Sequence, residues 1–102
     1  MTVYSWDPAK NDWLIRQRGI SFDAIVWHIA QGGLLDVLVS DKDPYKGQQQ
    51  LVVNVNGYAY LVPVVEEGDT IVLKTVIPSR KLTRRYLREG GAGDGASGQE
   101  RT

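Results

Sequence analysis

The sequence predicts an α+β domain with a short strand and two helices first, a mostly antiparallel β-meander next, and a basic amphipathic helix at the end. Two observations support this class. Apolar residues recur at helical spacing from Phe22 to Ala30, whereas from Leu34 onward they follow a period of two. Asn56-Gly57 stands between two strand-like runs, where it favours a tight hairpin turn. With 102 residues, the chain has room for one hydrophobic core.

Capping residues predict where the N-terminal helices begin and end. Asp7 can cap the first helix. Pro8 suits the first helical position, because it has no N–H that would need a hydrogen-bond partner there. Gly19 is expected to end that helix, and Ser21 offers a hydroxyl cap to the next, which Gly32-Gly33 stops. The predicted elements are a strand over residues 2–6, helices over residues 8–18 and from residue 22, strands over residues 34–40, 49–55, 58–65 and 70–77, and a final helix after Pro78-Ser79.

Two segments are predicted to lie outside regular elements. The polar run over residues 41–48 contains Pro44 and Gly47 and is typical of a loop. Residues 90–102 are rich in glycine and cannot bury enough apolar surface to offset their ordering entropy. The sequence therefore predicts one folded domain over residues 1–89 and a disordered tail over residues 90–102.

The composition excludes several classes of site. The chain has no cysteine and only one histidine, His28, so disulfides, thiolate zinc sites and histidine metal clusters are excluded. Nucleotide-binding glycine loops are also missing, and we expect no metal and no cofactor. No leader pattern and no stretch of about 18 apolar residues is visible. We expect a cytoplasmic protein that does not enter a membrane, as a monomer or a small homo-oligomer such as a homodimer.

The positive charge is unevenly distributed, although the formal net charge is zero. Six of the twelve basic residues lie between Thr70 and Arg88, with no acid among them. On a helix, five of the six fall within an arc of about 140°, opposite Leu82, Thr83, Tyr86 and Leu87. This pattern favours a surface that binds phosphate, although a merely solvated face or a dock for an acidic protein would have the same charges. The six residues are Lys74, Arg80, Lys81, Arg84, Arg85 and Arg88.

A few other side chains could take part in chemistry. Glu66 could act as a general base near the cations, although a Glu-Glu-Gly-Asp run is also common in hairpin turns. Tyr86 could be an acid, a phosphate ligand or a core residue, and His28 could be catalytic or structural. Tyr58 and Tyr60 share one strand face, which suits either a platform for stacking bases or packing beneath a helix.

Three motifs follow one another along the chain: Trp6-Asp7-Pro8-Ala9-Lys10, then Arg18-Gly19-Ile20-Ser21-Phe22, then Ser79-Arg80-Lys81 with Thr83-Arg84-Arg85. In this order they resemble the BrnT-like toxins of bacterial type II toxin-antitoxin systems over residues 3 to 88. This resemblance implies a RelE-like ribonuclease fold, metal-independent attack of a ribose 2′-hydroxyl on its own phosphate, and neutralisation by an antitoxin, for which a ribbon-helix-helix protein is a candidate.

On this basis we expect a toxin that binds and cuts RNA. Arg80 and Lys81 would stabilise the phosphorane, with Glu66 as the candidate base; the backbone would be held by Lys74, Arg84, Arg85 and Arg88. The chain departs from the family at Gln48-Gln49-Gln50, where typical members carry a Glu/Arg pair, at residues 61–64, where they carry a histidine, and at Thr75, where they carry a charge. The alternative is a non-catalytic domain that uses the same basic surface to bind a protein or a nucleic acid.

Overall fold

The computed structural model describes residues 2–41 and 47–89. The predicted α+β class is confirmed, with an N-terminal strand, then helices, then a mostly antiparallel sheet. Met1, part of the predicted loop (residues 42–46) and the predicted tail (residues 90–102) lie outside the described residues. The elements are β1 (Val3–Trp6), α1 (Pro8–Arg18), α2 (Phe22–His28), β2 (Leu34–Val39), β3 (Gln49–Val55), β4 (Tyr58–Glu67), β5 (Thr70–Leu73), β6 (Ile77–Pro78) and α3 (Arg80–Thr83).

The capping residues set both ends of α1 and the start of α2 as predicted, whereas α2 ends at His28 rather than at Gly32-Gly33. The Asp7 carboxylate accepts a hydrogen bond from the Ala9 N–H at 3.0 Å, and Gly19 ends α1 with a φ of 68°. The Ser21 hydroxyl accepts a hydrogen bond from the Ala24 N–H at 3.0 Å. Each of these bonds satisfies an amide that has no partner within its own helix.

The connection from α2 to β2 depends on two glycines. After His28 the chain widens into a π-type turn, Ile29–Gly33, in which Gly32 has a φ of 90°. A Cβ at Gly33 would lie 2.7 Å from the His28 carbonyl oxygen and 2.8 Å from that of Asn54. Gly32 therefore supplies a left-handed backbone, and Gly33 lets two backbone segments approach each other.

The strands form one sheet in the order β1-β5-β4-β3-β2, with β6 also paired to β4. Asn56 and Gly57 join β3 to β4 with φ angles of 54° and 88°, so both adopt the left-handed conformation of the predicted hairpin turn. β1 lies at the edge and pairs with β5 in parallel, with Val3 opposite Thr70. All other neighbouring strands are antiparallel.

The prediction of one continuous strand over residues 70–77 is wrong, because the strand is interrupted. Leu73 and Val76 are both buried in the main core, although residues three apart point to opposite faces of a regular strand. The chain leaves the strand conformation between them, so that both side chains reach the core. Lys74 stays attached to β4, because its N–H donates to the Pro63 carbonyl at 2.9 Å.

The sheet separates two apolar clusters. The larger lies on the face that carries α1 and α2, which we call the α1–α2 face; the smaller lies under α3, on the α3 face. Buried residues of the larger cluster are Leu14, Ile20, Phe22, Ile25, Leu51, Val53, Val62, Val64, Leu73 and Val76. Those of the smaller cluster are Val52, Ala59 and Leu82. Strand alternation assigns the other side chains to one face or the other.

Candidate nucleic-acid interface

Two hydrogen bonds join the start of α3 to β4, and two more stabilise its first turn. The Ser79 hydroxyl caps α3 by accepting from the Leu82 N–H at 3.1 Å, and the Ser79 N–H donates to the Ala59 carbonyl at 3.0 Å. The Thr83 hydroxyl accepts from the Ala59 N–H at 2.8 Å and donates to the Ser79 carbonyl at 2.8 Å. Thr83, predicted only to face the sheet, is therefore the polar link between α3 and β4.

The segment that begins with α3 has one buried side and one exposed side. The helix continues beyond Thr83 as a π-type turn, Arg84–Glu89. Leu82 and Thr83 are buried, and Tyr86 and Leu87 are half-buried against the smaller cluster. The exposed side chains are Arg80, Lys81, Arg84, Arg85 and Arg88.

Three of these five side chains have no protein partner within the described residues. The side chains of Arg80, Lys81 and Arg88 make no hydrogen bond or ion pair there, whereas Arg84 takes part in a further interaction. Arg85 lies over the Tyr86 ring, with its Cζ 5.7 Å from the ring centroid. Guanidinium groups that face solvent can bind phosphate oxygens through two parallel N–H donors. The surface is therefore suited to a polyanion.

Half of the α3 face is uncovered next to these cations. Contacts of α3 reach Val52, Ala59 and Leu61, which lie in the half of β3 and β4 nearest to their hairpin turn. Farther along β4, and across β5 to β1, the side chains on this face are exposed or half-buried. Its exposed or half-buried side chains, here called the open half-face, are Val3, Ser5, Pro63, Val65, Glu67, Thr70, Val72 and Lys74, so this surface also carries one acid. Lys74 brings the sixth cation to this surface.

The structure does not bring Glu66 together with Arg80 and Lys81. Glu66 belongs to β4, opposite Ile71, rather than to the turn that was predicted there. Alternation places its side chain on the α1–α2 face. It also lies six residues beyond Tyr60, which pairs with the strand leading into α3, and this corresponds to about 20 Å at 3.3 Å per residue. Glu66 is therefore on the wrong face to serve as a base for these cations.

Tyr58, Tyr60 and His28 also lie away from the basic residues. The two tyrosine rings meet edge to face with centroids 5.6 Å apart, and Tyr60 packs against the larger cluster. The His28 Nδ1 donates to the Ala24 carbonyl at 2.7 Å, so the ring is tied to its own helix. Tyr60 and His28 line a cleft of about 580 Å³ on the α1–α2 face. Their positions favour the packing interpretation.

Sequence reasoning does not single out Asp36, which the structure places under the basic segment. The Tyr86 hydroxyl donates to Asp36 Oδ2 at 2.5 Å, and the Val37 N–H donates to Asp36 Oδ1 at 2.8 Å. A bulge between Leu34 and Asp36 shifts the strand register, which puts Asp36 on the α3 face, opposite Val52. An acid among the apolar residues of β2 is a signal, but its partner lies 50 residues away in sequence.

The contact fixes the ionisation of both groups. The hydrogen bond from Tyr86, then that from the Val37 N–H, lowers the pKa of Asp36 below its ordinary 3.8, and the charge of Arg85 adds to this. The same bond to Asp36, followed by partial burial, raises the pKa of Tyr86 above its ordinary 10.0. At neutral pH Asp36 is therefore an ionised acceptor and Tyr86 a protonated donor.

No protein-family model matches the chain, and no curated protein sequence matches it. Across residues 2–41 and 47–89, no group of three or more histidine, aspartate and glutamate side chains is placed to hold a metal ion. In the same part of the chain, no helix is long and apolar enough to cross a membrane. Function is therefore inferred from the six cations, the open half-face beside them and the Asp36–Tyr86 contact.

Proposed function

We propose that the protein is the toxin of a type II toxin-antitoxin pair, and that it binds RNA in the cytoplasm and cleaves it without a metal ion. One observation carries this proposal: five exposed cations line a short segment whose other side is held on the sheet. Next to them is the open half-face, whose side chains are exposed or half-buried. A single RNA strand has both the phosphates and the apolar base surfaces that would suit these two regions.

The six cations would have two roles. Arg80 and Lys81 would stabilise the charge that develops on the phosphorane when a ribose 2′-hydroxyl attacks its own phosphate. Lys74, Arg84, Arg85 and Arg88 would hold neighbouring phosphates. Each phosphate contact in a single strand contributes about −0.7 to the slope of log affinity against log salt concentration, so six contacts predict a slope of about −4.

An antitoxin would act on the same surface. A protein with an acidic segment would pair with the exposed cations and exclude RNA from them, and we propose an antitoxin of the ribbon-helix-helix class for this role. Neutralisation would then require no change in the toxin fold. A small adjacent gene that encodes a DNA-binding protein would support this part of the proposal.

A second function is favoured by the position of Glu66. Because this carboxylate faces away from Arg80 and Lys81, the cations lack the base that the sequence predicted for them. A non-catalytic domain that binds RNA or an acidic protein needs no such base. The two functions differ in whether RNA is cut.

The test is incubation of the purified protein with total RNA, with and without a chelator. The toxin proposal predicts cleavage in both conditions, and the double change Arg80→Ala plus Lys81→Ala should abolish it and should relieve growth arrest on induced expression. Arg16→Ala is the matched control, because it removes an exposed cation from α1 and should leave cleavage unchanged. Binding without any cleavage would establish the non-catalytic alternative. Cleavage that the chelator stops would contradict the metal-free mechanism.

A further inference from the structure

We propose that Asp36 and Tyr86 are the catalytic acid-base pair of this protein, with Asp36 taking the proton from the ribose 2′-hydroxyl and Tyr86 protonating the leaving 5′-oxygen. This inference rests on the proposed ribonuclease function. It replaces Glu66, which the fold places on the other face. The argument starts from the Tyr86 hydroxyl, which lies 2.5 Å from Asp36 Oδ2, next to the exposed Arg85.

Asp36 keeps the capacity to accept a proton. An ionised carboxylate offers about four lone-pair positions. The Val37 N–H fills one on Oδ1, and the Tyr86 hydroxyl fills one on Oδ2. One lone-pair position on each oxygen is left for a substrate hydroxyl. Asp36 is only half-buried, so solvent reaches part of the residue. At neutral pH Asp36 is ionised, which is the form that accepts a proton, although the hydrogen bonds that lower its pKa also make it a weaker base.

The position of the pair fits the proposed RNA path. Asp36 lies opposite Val52, which lies opposite Leu61 on β4, so that the pair is two strands away from the start of α3. Two strand spacings amount to about 10 Å, a gap that an arginine side chain reaching from α3 can bridge. Arg85, whose charge acts on Asp36, would neutralise the phosphate charge beside the pair.

The proposed step is balanced without a further reactant. The 2′-hydroxyl proton moves to Asp36 as the 2′-oxygen bonds to phosphorus, and the bond from phosphorus to the 5′-oxygen breaks. Tyr86 gives its phenolic proton to the departing 5′-oxygen and takes back the proton held by Asp36 across their hydrogen bond. The products are a 2′,3′-cyclic phosphate and a 5′-hydroxyl, and both side chains return to their starting forms.

The test compares cleavage and binding in Asp36→Asn and Tyr86→Phe. Loss of an acid or base costs about 10²- to 10⁴-fold in rate, so each variant should cleave at least about 100-fold more slowly while binding an uncleavable 2′-deoxy oligonucleotide as tightly as the wild type does. The double variant should cleave only a little more slowly than either single variant, because the two groups act together in one step. Asp12→Asn, on the exposed side of α1, is the matched control and should cleave normally.

A second substrate separates catalysis from a structural role of the contact. In RNA with sulfur in place of the bridging 5′-oxygen, the leaving thiolate needs no proton donor. This substrate should restore the rate of Tyr86→Phe but not that of Asp36→Asn, whereas a variant with a displaced α3 would stay slow on both substrates and overturn the inference. If Asp36→Asn does not fold, the result with Tyr86→Phe decides alone.

The remaining outcomes separate the two proposals. Normal cleavage by Asp36→Asn would overturn the acid-base assignment and leave the ribonuclease proposal intact. If Glu66→Gln alone abolished cleavage, the assignment would also be overturned. Absence of cleavage by the wild type, with RNA still bound, would reject the ribonuclease proposal and this inference with it.

Discussion

Replacing Thr83 by valine should destabilise the fold, because the Ala59 N–H would lose its hydrogen-bond acceptor. Thr83 is 2% exposed, and its hydroxyl is the acceptor for the N–H of Ala59, which is fully buried. Valine has nearly the same shape and cannot accept this bond. A buried donor left without a partner costs about 1–3 kcal/mol. The carbonyl of Ser79, which loses the hydroxyl as donor, still accepts from the Thr83 N–H at 3.0 Å.

The assay is urea unfolding of Thr83→Val, together with hydrogen exchange at the Ala59 amide. We expect a loss of about 1–3 kcal/mol, which lowers the melting temperature by roughly 4 °C or more in a domain of this size, and faster exchange at Ala59. Thr75→Val is the matched control, because the Thr75 hydroxyl has no hydrogen bond to a described residue. If the two variants were equally stable and the Ala59 amide stayed protected, the role of Thr83 would be refuted.

Three further predictions concern stability. Gly33→Ala should cost about 1–3 kcal/mol through overpacking, because its Cβ would meet the carbonyl oxygens of His28 and Asn54 at 2.7 Å and 2.8 Å; an unchanged denaturation midpoint would contradict this. Asp36→Asn should destabilise the protein at neutral pH, and the difference should vanish as pH falls through the folded pKa of Asp36, because a depressed pKa stabilises only above the unfolded value. The raised pKa of Tyr86 predicts a separate loss of wild-type stability as pH rises beyond about 10. A stability difference between Asp36→Asn and the wild type that did not change with pH would refute the proposed charge of Asp36.

Local chemistry explains which parts of the fold could be predicted. The caps at Asp7 and Ser21 and the turn at Asn56-Gly57 depend on neighbours within a few residues, so the sequence specifies them directly. The parallel pairing of β1 with β5 depends on residues far apart in sequence, and no local pattern encodes it. The interruption after β5 follows from the spacing of Leu73 and Val76, two core residues that are three positions apart. This spacing is present in the sequence, but it does not by itself distinguish an interrupted strand from a continuous one.

The candidate interface was predictable to a similar extent. The row of cations beginning at Arg80 follows from helical periodicity. The sequence did not assign strand faces across the sheet, so it grouped Glu66 with cations that lie on the other side. It also concealed the Asp36–Tyr86 contact, because a bulge in β2 changes the register just before Asp36. To predict the site, one would have needed to know on which face of the sheet each strand side chain lies.

The location of bound RNA tests the central claim most directly. NMR spectra of the labelled protein would be recorded with and without an uncleavable 2′-deoxy oligonucleotide. We expect shifts in the amides of the segment Arg80–Arg88, of Lys74, and of the open half-face around Val65 and Val72, with little change at the cleft that His28 lines. Shifts confined to that cleft, or no shifts at low salt, would contradict the account.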